Sequence, residues 1–484
     1  MTFIRSVLCA LLLAASPLVL AQGAVTASDN YLRLEQVLDS AQQHFPKIMA
    51  ALADRRAAEG DVTAALGAFD LVFDAEGFDR VDGFYDGQAI KGGAKQPLRP
   101  LGATVFSEYK LSNGEFPIYE DINYTNTGGT LAAGVLFSLL RDRDIDQRRF
   151  NEVDTRLALE NADLDVLMVR IGVQQRAMVA YWQWVVAGAR LRVYENLLRI
   201  ALQREEGLKE QVARGARATI FLTENEQNIL RRRSLVTSTR RTFEAAANKL
   251  AFYYRDDSSR LQIPTATQLP PTDLIAEYAE VDGGRSLEVL PEALSRRPEM
   301  LMLNNAIARA DNTVALREND LQARLDLRFE VNTPIGEIAE GGPSRDATDT
   351  VIGFSFEVPL ERRVARGKLA RSRAKRDALY YKQLQQQDQI EVEIRNIFTA
   401  LDYADQLAAL AKQEVELADL MTSAEQQRFK EGASDFFLVN VREETAANAR
   451  VQYLVATLDT LIAQANFDAA TLNLDALGLV DATP

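Results

Sequence analysis

LEQVLDSAQQHFPKIMAALADRRAAEGDV at 34–62 and SLEVLPEALSRRPEMLMLNNAIARADNTV at 286–314 carry one pattern in one register. They share Val37/Val289, Leu38/Leu290, Ala41/Ala293, Pro46/Pro298, Ala58/Ala310 and Val62/Val314. Residues 31–65 read as a helix interrupted near Pro46. Each copy leads into strand-like alternation, a very long helical stretch, a glycine-centred break and another helix. Such a repeat governs the assignment of every other element. A duplicated helix–strand–strand–long-helix unit suits the wall of a pore.

Four segments alternate with the period of a half-buried strand. At 66–75, Phe69, Leu71 and Phe73 oppose Ala68, Asp70, Val72 and Asp74. At 131–139, Leu131, Ala133, Val135, Phe137 and Leu139 oppose Ala132, Gly134, Leu136 and Ser138. In the second half, Leu325, Leu327, Phe329 and Val331 oppose Asp326, Arg328, Glu330 and Asn332. Ile352, Phe354, Phe356 and Val358 oppose Gly353, Ser355 and Glu357. About nine residues is the span of a tilted strand through a bilayer. An ordinary antiparallel sheet with one wet face has the same alternation. On the membrane reading the apolar faces meet lipid, and Asp70, Asp74, Asp326, Arg328, Glu330 and Glu357 face the lumen.

The helices are long. Residues 142–212 hold no proline and only three glycines (Gly172, Gly188 and Gly207), and would reach roughly 105 Å; residues 366–430 would reach roughly 98 Å. Ile390, Ile394, Ile397, Leu401, Ala404, Ala408, Ala411, Val415 and Ala418 step by four and three. Ala447, Val451, Leu454, Leu458, Leu461 and Ala465 do likewise, and Leu157, Leu164, Ile171, Met178 and Val185 step by seven. That repeat means supercoiled packing against other helices. A solitary coiled-coil rod is the plainer alternative.

The offset between copies is 252 at the first helix, about 220 at Leu140/Leu360 and about 217 at Gly215/Gly432. The first half therefore holds about 32 extra residues between its strands. Residues 77–127 are rich in turn formers and aromatics. They predict a larger exterior loop or an added hairpin, with Val105–Leu111 as one strand of it. The second half has only the Gly341-Gly342-Pro343 loop there.

The helix breaks read Arg214-Gly215-Ala216-Arg217 and Arg428-Phe429-Lys430-Glu431-Gly432, each followed by a new helix within about five residues. Glycine takes the positive φ that ends a helix, so the chain reverses there. Such tips, far from the strands, suit docking and gating by a partner helix hairpin.

The 484 residues carry a net charge of −14. That argues against nucleic-acid binding, which needs a basic stripe. Mean hydropathy is slightly negative, so a bundle of membrane-spanning helices is excluded. Arg5, the apolar run Val7–Leu13 with Ala14 and Ala15, and the site Val19-Leu20-Ala21 predict a signal peptide. Cys9, the single cysteine, lies inside it and not just after a cleavage site. Lipidation, disulfides and thiol chemistry are therefore not expected. His44 is the only histidine, and no cluster has metal-ligand spacing. There is no nucleophile elbow or phosphate loop. The pairs Glu205-Glu206 and Glu443-Glu444 read as solvated helix faces. No enzyme and no cofactor are expected.

Together these features resemble the TolC-like outer-membrane factors of tripartite efflux and type I secretion systems. The carrying segments are Pro298, Val358-Pro359-Leu360 and the tip Arg428-Phe429-x-x-Gly432. The junction Leu140-Arg141-Asp142-Arg143-Asp144-Ile145-Asp146-Gln147-Arg148-Arg149 and Glu224-Asn225-Glu226 followed by Arg231-Arg232-Arg233 are similar to one subgroup. The resemblance covers essentially the whole chain after the signal. It implies a homotrimer in outer-membrane lipid, with a twelve-stranded barrel built from four strands per chain. A helical coiled-coil barrel would cross the periplasm to an adaptor and an inner-membrane pump. The docking tip would comprise Arg214, Gly215, Arg217, Arg428, Phe429, Gly432, Phe436 and Phe437. An acidic constriction would fall near Glu224 in the first copy. In the second it falls near Asn440 or Val441, flanked by Asp435 and Glu443. A periplasmic adaptor or coiled-coil scaffold is the alternative; adaptors carry one such hairpin where this chain has two.

The expected organisation is a signal peptide at 1–21, a first repeat at 22–254, a linker at 255–285, a second repeat at 286–475 and a tail at 476–484. The first repeat has strands at about 66–75 and 131–139 and helices at about 142–212 and 221–254. The second has strands at about 323–332 and 351–358 and helices at about 362–430 and 437–475.

Overall fold

A computed structural model describes residues 31–280, 288, 290–339 and 347–479. The predicted signal peptide, Val289, the Gly341-Gly342-Pro343 loop and parts of the linker and tail lie outside the described residues. The chain begins with α1 (Leu34–His44), α2 (Pro46–Leu66), β1 (Val72–Asp79), β2 (Gln88–Pro97), β3 (Thr104–Asn113) and β4 (Thr130–Ser138). Then come α3 (Gln147–Ala213), α4 (Ile220–Ala251), α5 (Asp273–Ala279), α6 (Leu290–Arg296) and α7 (Pro298–Asn319). β5 (Arg324–Pro334), β6 (Asp349–Glu357), α8 (Arg363–Lys430) and α9 (Phe436–Thr471) complete it.

Proline sets the early breaks. Pro46 and Pro298 are the first residues of α2 and α7. Phe45 and Arg297 before them are extended, at ψ 122° and 129°. Proline tolerates the first helical position and pushes its predecessor out of the helical region. The long helices α3 and α8 have 67 and 68 residues, about 100 Å each. They are followed by α4 and α9, of 32 and 36 residues.

Two boundaries differ from the sequence reading. β1 begins at Val72, because Gly67–Phe69 close a 3-10 turn and the Asp70 N–H donates to the Gly67 carbonyl at 3.1 Å. Asp70 is thereby outside the strand. α3 begins at Gln147, capped by the Asp146 carboxylate, which accepts the Arg149 N–H at 2.9 Å. Just before it, Asp142 takes φ +69° and exchanges two hydrogen bonds with the Asn319 side chain, at 2.8 and 2.9 Å.

The sheet departs further. The sequence reading has four strands per chain; the described residues form six, in the order β1-β2-β3-β4-β5-β6, every neighbour antiparallel. The extra residues of the first half are the hairpin β2–β3, hydrogen-bonded into the middle of the sheet.

The main core lies where α3 meets α1, α4 and α9. Trp184, 0% exposed, stacks on Phe243 of α4 and tilts against Tyr181. Val37, Leu38 and Ala41 of α1 and the C-terminal Leu477 and Leu479 close the cluster. Gly188 lets the linker approach, since a Cβ there would collide with the Leu269 side chain.

Candidate functional site

The register of the six strands sorts side chains into two faces. One row runs Gly77, Ile90, Leu111; another Gly92, Tyr109, Leu131, Thr333; a third Gln96, Val105, Val135, Phe329, Ile352. With Phe73, Phe354 and Phe356, this face is mainly apolar and largely exposed, with Thr333 and, at its α3 end, Gln96 as the polar members of these rows. The other face carries Asp74, Glu76, Lys91, Lys95, Glu108, Asp326, Arg328, Glu330 and Glu357. Its charges pair across and along strands. Lys91 bonds Glu76 at 2.5 Å, Lys95 lies 3.5 Å from Asp74, and Arg324 bonds Asp326 at 2.7 Å. Ser138 also donates to Asp326, at 3.1 Å. Arg328 pairs with Glu330 and lies over the Phe106 ring at 5.0 Å.

At the far end of the helices the two breaks are built alike. The Gly215 N–H donates to Val212 and the Ala216 N–H to Gln211, both at 2.9 Å. The Gly432 N–H donates to Phe429 at 3.1 Å and the Ala433 N–H to Arg428 at 2.8 Å. These are Schellman closures, with φ +69° at Gly215 and +76° at Gly432. Nothing lies within 4 Å of a Cβ at either glycine, so only the backbone demands glycine. Gly432→Val is therefore expected to cost about 1–2 kcal/mol of local stability. Faster amide exchange at 432 and 433 with the sheet unaffected is the check, and unchanged exchange would count against this role.

Aromatic rings then join the two tips. Phe221 of α4 meets Phe436 of α9 edge-on at 6.3 Å, and Phe429 of α8 lies 6.4 Å from Phe436. Arg217 sits over Phe221 and Phe429 at 5.3 and 5.0 Å, and Arg204 over Phe436 at 5.4 Å. Cation–π contacts of this kind contribute most where desolvated.

Above the rings, one carboxylate ties all four long helices together. Glu443 of α9 accepts from Arg204 of α3, from Arg232 of α4 at 3.3 Å and from Gln426 of α8 at 3.2 Å. Glu443 is 4% exposed and Arg232 2%. Arg204 also donates to Asn440 at 2.7 Å, and Arg232 to the Leu197 carbonyl at 2.9 Å. Burial lowers the Arg232 pKa from the ordinary guanidinium value, and Glu443 opposes the shift. Removing either partner would leave a buried charge uncompensated.

Among solved structures the chain is similar to a membrane protein from Pseudomonas aeruginosa, at 13% identity, covering 90% of this chain and 92% of that one, TM-score 0.63. It is similar to the CmeC outer-membrane channel of Campylobacter jejuni, at 12% identity over 93% and 89%, TM-score 0.61. It is similar to the outer-membrane protein VceC of Vibrio cholerae, at 15% identity over 90% and 95%, TM-score 0.61. The chain has the TolC-like outer-membrane channel fold. At these identities the likeness is one of fold. No protein-family model matches the sequence, and no curated protein matches it.

Within this TolC-like fold the residues singled out from sequence fall in different places. Asp74, Asp326, Arg328, Glu330 and Glu357 share the polar face of the sheet, whereas Asp70 precedes it. Arg214, Gly215, Arg428, Gly432 and Phe437 are exposed at the tips. Phe436 is buried among the rings and presents nothing to a partner. Arg428 bonds Glu425 and the Ala433 carbonyl of its own turn. Of the constriction candidates, Glu224 is half-buried on α4 and Asp435 caps α9 by accepting the Leu438 N–H at 2.7 Å. Asn440 and Glu443 are buried between helices of the chain and bonded to arginines. The Glu443-Glu444 pair is likewise no solvated face, since Glu444 bonds Arg231 at 2.8 Å.

The sequence reading names Arg232 only within Arg231-Arg232-Arg233, and Arg204 and Gln426 not at all. A signal existed. The α9 spacing Ala447, Val451, Leu454 extends backward through Glu443, Asn440 and Phe436 by fours and threes. On α4, Ile229, Arg232, Val236, Thr239, Phe243 follow the same steps. Polar residues on a seam position mark a buried network.

Proposed function

We propose that this protein is the outer-membrane channel of a tripartite efflux or type I secretion system. It is a passive duct from the periplasm, or from an inner-membrane pump, to the exterior. The observation that carries the reading is the sheet, with an apolar face on one side and paired charges on the other. It is joined directly to helices about 100 Å long. Strands in lipid must satisfy their backbone by closure, and β1 and β6 each leave one edge unpaired within the chain. A second and third copy would close the ring. The halves α2 to α4 and α7 to α9 would then act as unequal repeats around the wall. No helix among the described residues is long and apolar enough to cross a membrane; in this reading the exposed apolar face of the sheet meets the lipid.

A second surface supports assembly. Tyr403, Leu407, Leu410, Leu417 and Leu420 form an exposed stripe on α8, spaced by threes, fours and a seven, with Met421 exposed beside it. That spacing seeks a neighbouring helix, here one of a second copy. Leu410→Arg with Leu417→Arg is expected to turn a detergent-stable trimer into monomer without loss of helical content. An intact trimer by light scattering would refute this seam.

At the tips, Arg214, Gly215, Arg217, Arg428, Phe429, Gly432 and Phe437 would meet a periplasmic adaptor. The pump would supply the energy, and the duct would reside in the outer membrane with a long periplasmic extension. Extracting the protein from membranes and measuring conductance in planar bilayers is the direct test. A soluble monomer without conductance would end the reading. A scaffold or adaptor has no use for an exposed apolar sheet face.

A further inference from the structure

We infer that the hairpin β2–β3 is a working part of the membrane wall, so that each chain contributes six strands and a trimer closes an eighteen-stranded barrel. The inference rests on the channel reading above, but it concerns what kind of mouth that channel has.

Three observations carry it. First, the hairpin is paired on both sides. β1 bonds β2 along its whole length, and β3 bonds β4 from Thr104 to Lys110. β1 and β4 do not touch as neighbours; the hairpin separates them. Second, its faces continue those of the sheet. Ile90, Val105, Tyr109 and Leu111 extend the exposed apolar band, while Lys91, Lys95 and Glu108 extend the charged one. Both strands have ten residues, the length that crosses a bilayer at a tilt. Third, both ends of its packing are specific. The Phe106 ring covers Gly134 directly across the strand pair, where any Cβ would collide with it. The turn between β2 and β3 docks on the first turns of α3. Arg99 bonds Glu152 at 3.2 and 3.3 Å, and Arg149 donates to the Arg99 carbonyl at 3.3 Å. Gly102, at φ +57°, lies so close to the Asp142 carbonyl that a side chain would strike it. An exterior flap would have none of these ties.

The consequence is width. At strand spacings of about 4.8 Å and a tilt near 40°, eighteen strands run about 110 Å around, against about 75 Å for twelve. The backbone radius rises from about 12 to about 18 Å, and the cross-section roughly doubles. The exterior mouth then suits bulky cargo, and the limit on size falls to the helix tips.

Spin labels on single cysteines in a Cys9→Ser background, in the full trimer in nanodiscs, test this. Ile352→Cys and Gly353→Cys calibrate the lipid and water faces of β6. Ile90→Cys and Tyr109→Cys are expected to match position 352 in oxygen accessibility, and Lys91→Cys and Glu108→Cys to match position 353 in aqueous nickel accessibility. Period-two alternation in phase with β6, with eighteen strands in the cryo-EM map, upholds the inference. Water exposure at both 90 and 109 beside a lipid-exposed 352 overturns it and leaves the channel reading standing. Water exposure at 352 as well removes both.

Discussion

Glu443→Ala is expected to loosen the tip end of the long helices by about 3–5 kcal/mol, the usual consequence of breaking a buried ion pair. The loss arises mostly from what remains. Arg232 is almost wholly buried, and without Glu443 its guanidinium keeps only the Leu197 carbonyl as an acceptor. Arg204 keeps Asn440. Glu443→Gln preserves volume and an acceptor but not charge, and should fall between the wild type and alanine. A chain this large need not unfold in one step, so amide exchange is the appropriate measurement. Protection should drop around 197–204, 225–236 and 436–447 together, because the carboxylate links those helices. Loss confined to α9 would show that the four-helix tie does not exist. Arg232→Met with Glu443→Leu should recover much of the stability, since apolar replacement of a buried pair is often neutral or better.

Trp184→Ala is expected to cost about 3–5 kcal/mol, the range for deleting a large buried aromatic. The site is poorly able to collapse. Its neighbours come from several elements: Phe243 from α4, Tyr181 from α3 itself, and the α1 residues behind them. Trp184→Phe should lose much less. Urea unfolding followed by far-UV circular dichroism and by Trp182 fluorescence reads the effect. An alanine variant as stable as the phenylalanine one would mean the cluster does not anchor α1 and α4 on α3.

The long helices were legible because a seam of threes and fours sustained over nearly thirty residues, as from Ile390 to Ala418, fits only a helix. β4, β5 and β6 were legible because bulky residues alternate with small or charged ones there. β2 escaped. Its sequence, Gln-Ala-Ile-Lys-Gly-Gly-Ala-Lys-Gln-Pro, offers only Ala89, Ile90 and Ala94 as apolar side chains. Glycine, lysine and proline are depleted from strands, and tertiary pairing on two sides outweighs that preference. Without a legible β2, the added hairpin stays an alternative to an exterior loop, and the sequence supports a count of four strands where the sheet has six. At the tips, both glycine reversals were legible. The Glu443 tie was not, because a carboxylate beside arginines reads as a solvated face until its seam position is noticed. Phe436 misled for the opposite reason: an aromatic beside an exposed turn looked available, yet Phe221 and Phe429 cover it.

The pairing of β4 with β5 joins residues 188 to 204 positions apart, from Ser138–Asp326 to Thr130–Pro334. All the other strand pairs are hairpins, and each long helix folds back on its immediate successor. Local contacts form early and distant ones late. Synthesis must therefore have delivered most of the chain, including α3 to α7, before the sheet acquires its central seam. Until then β4 and β5 are themselves bare edges, of the kind that pair with the wrong partner. The nascent protein has a long vulnerable interval, and its yield in a cell should depend on chaperones more steeply than its final stability would imply.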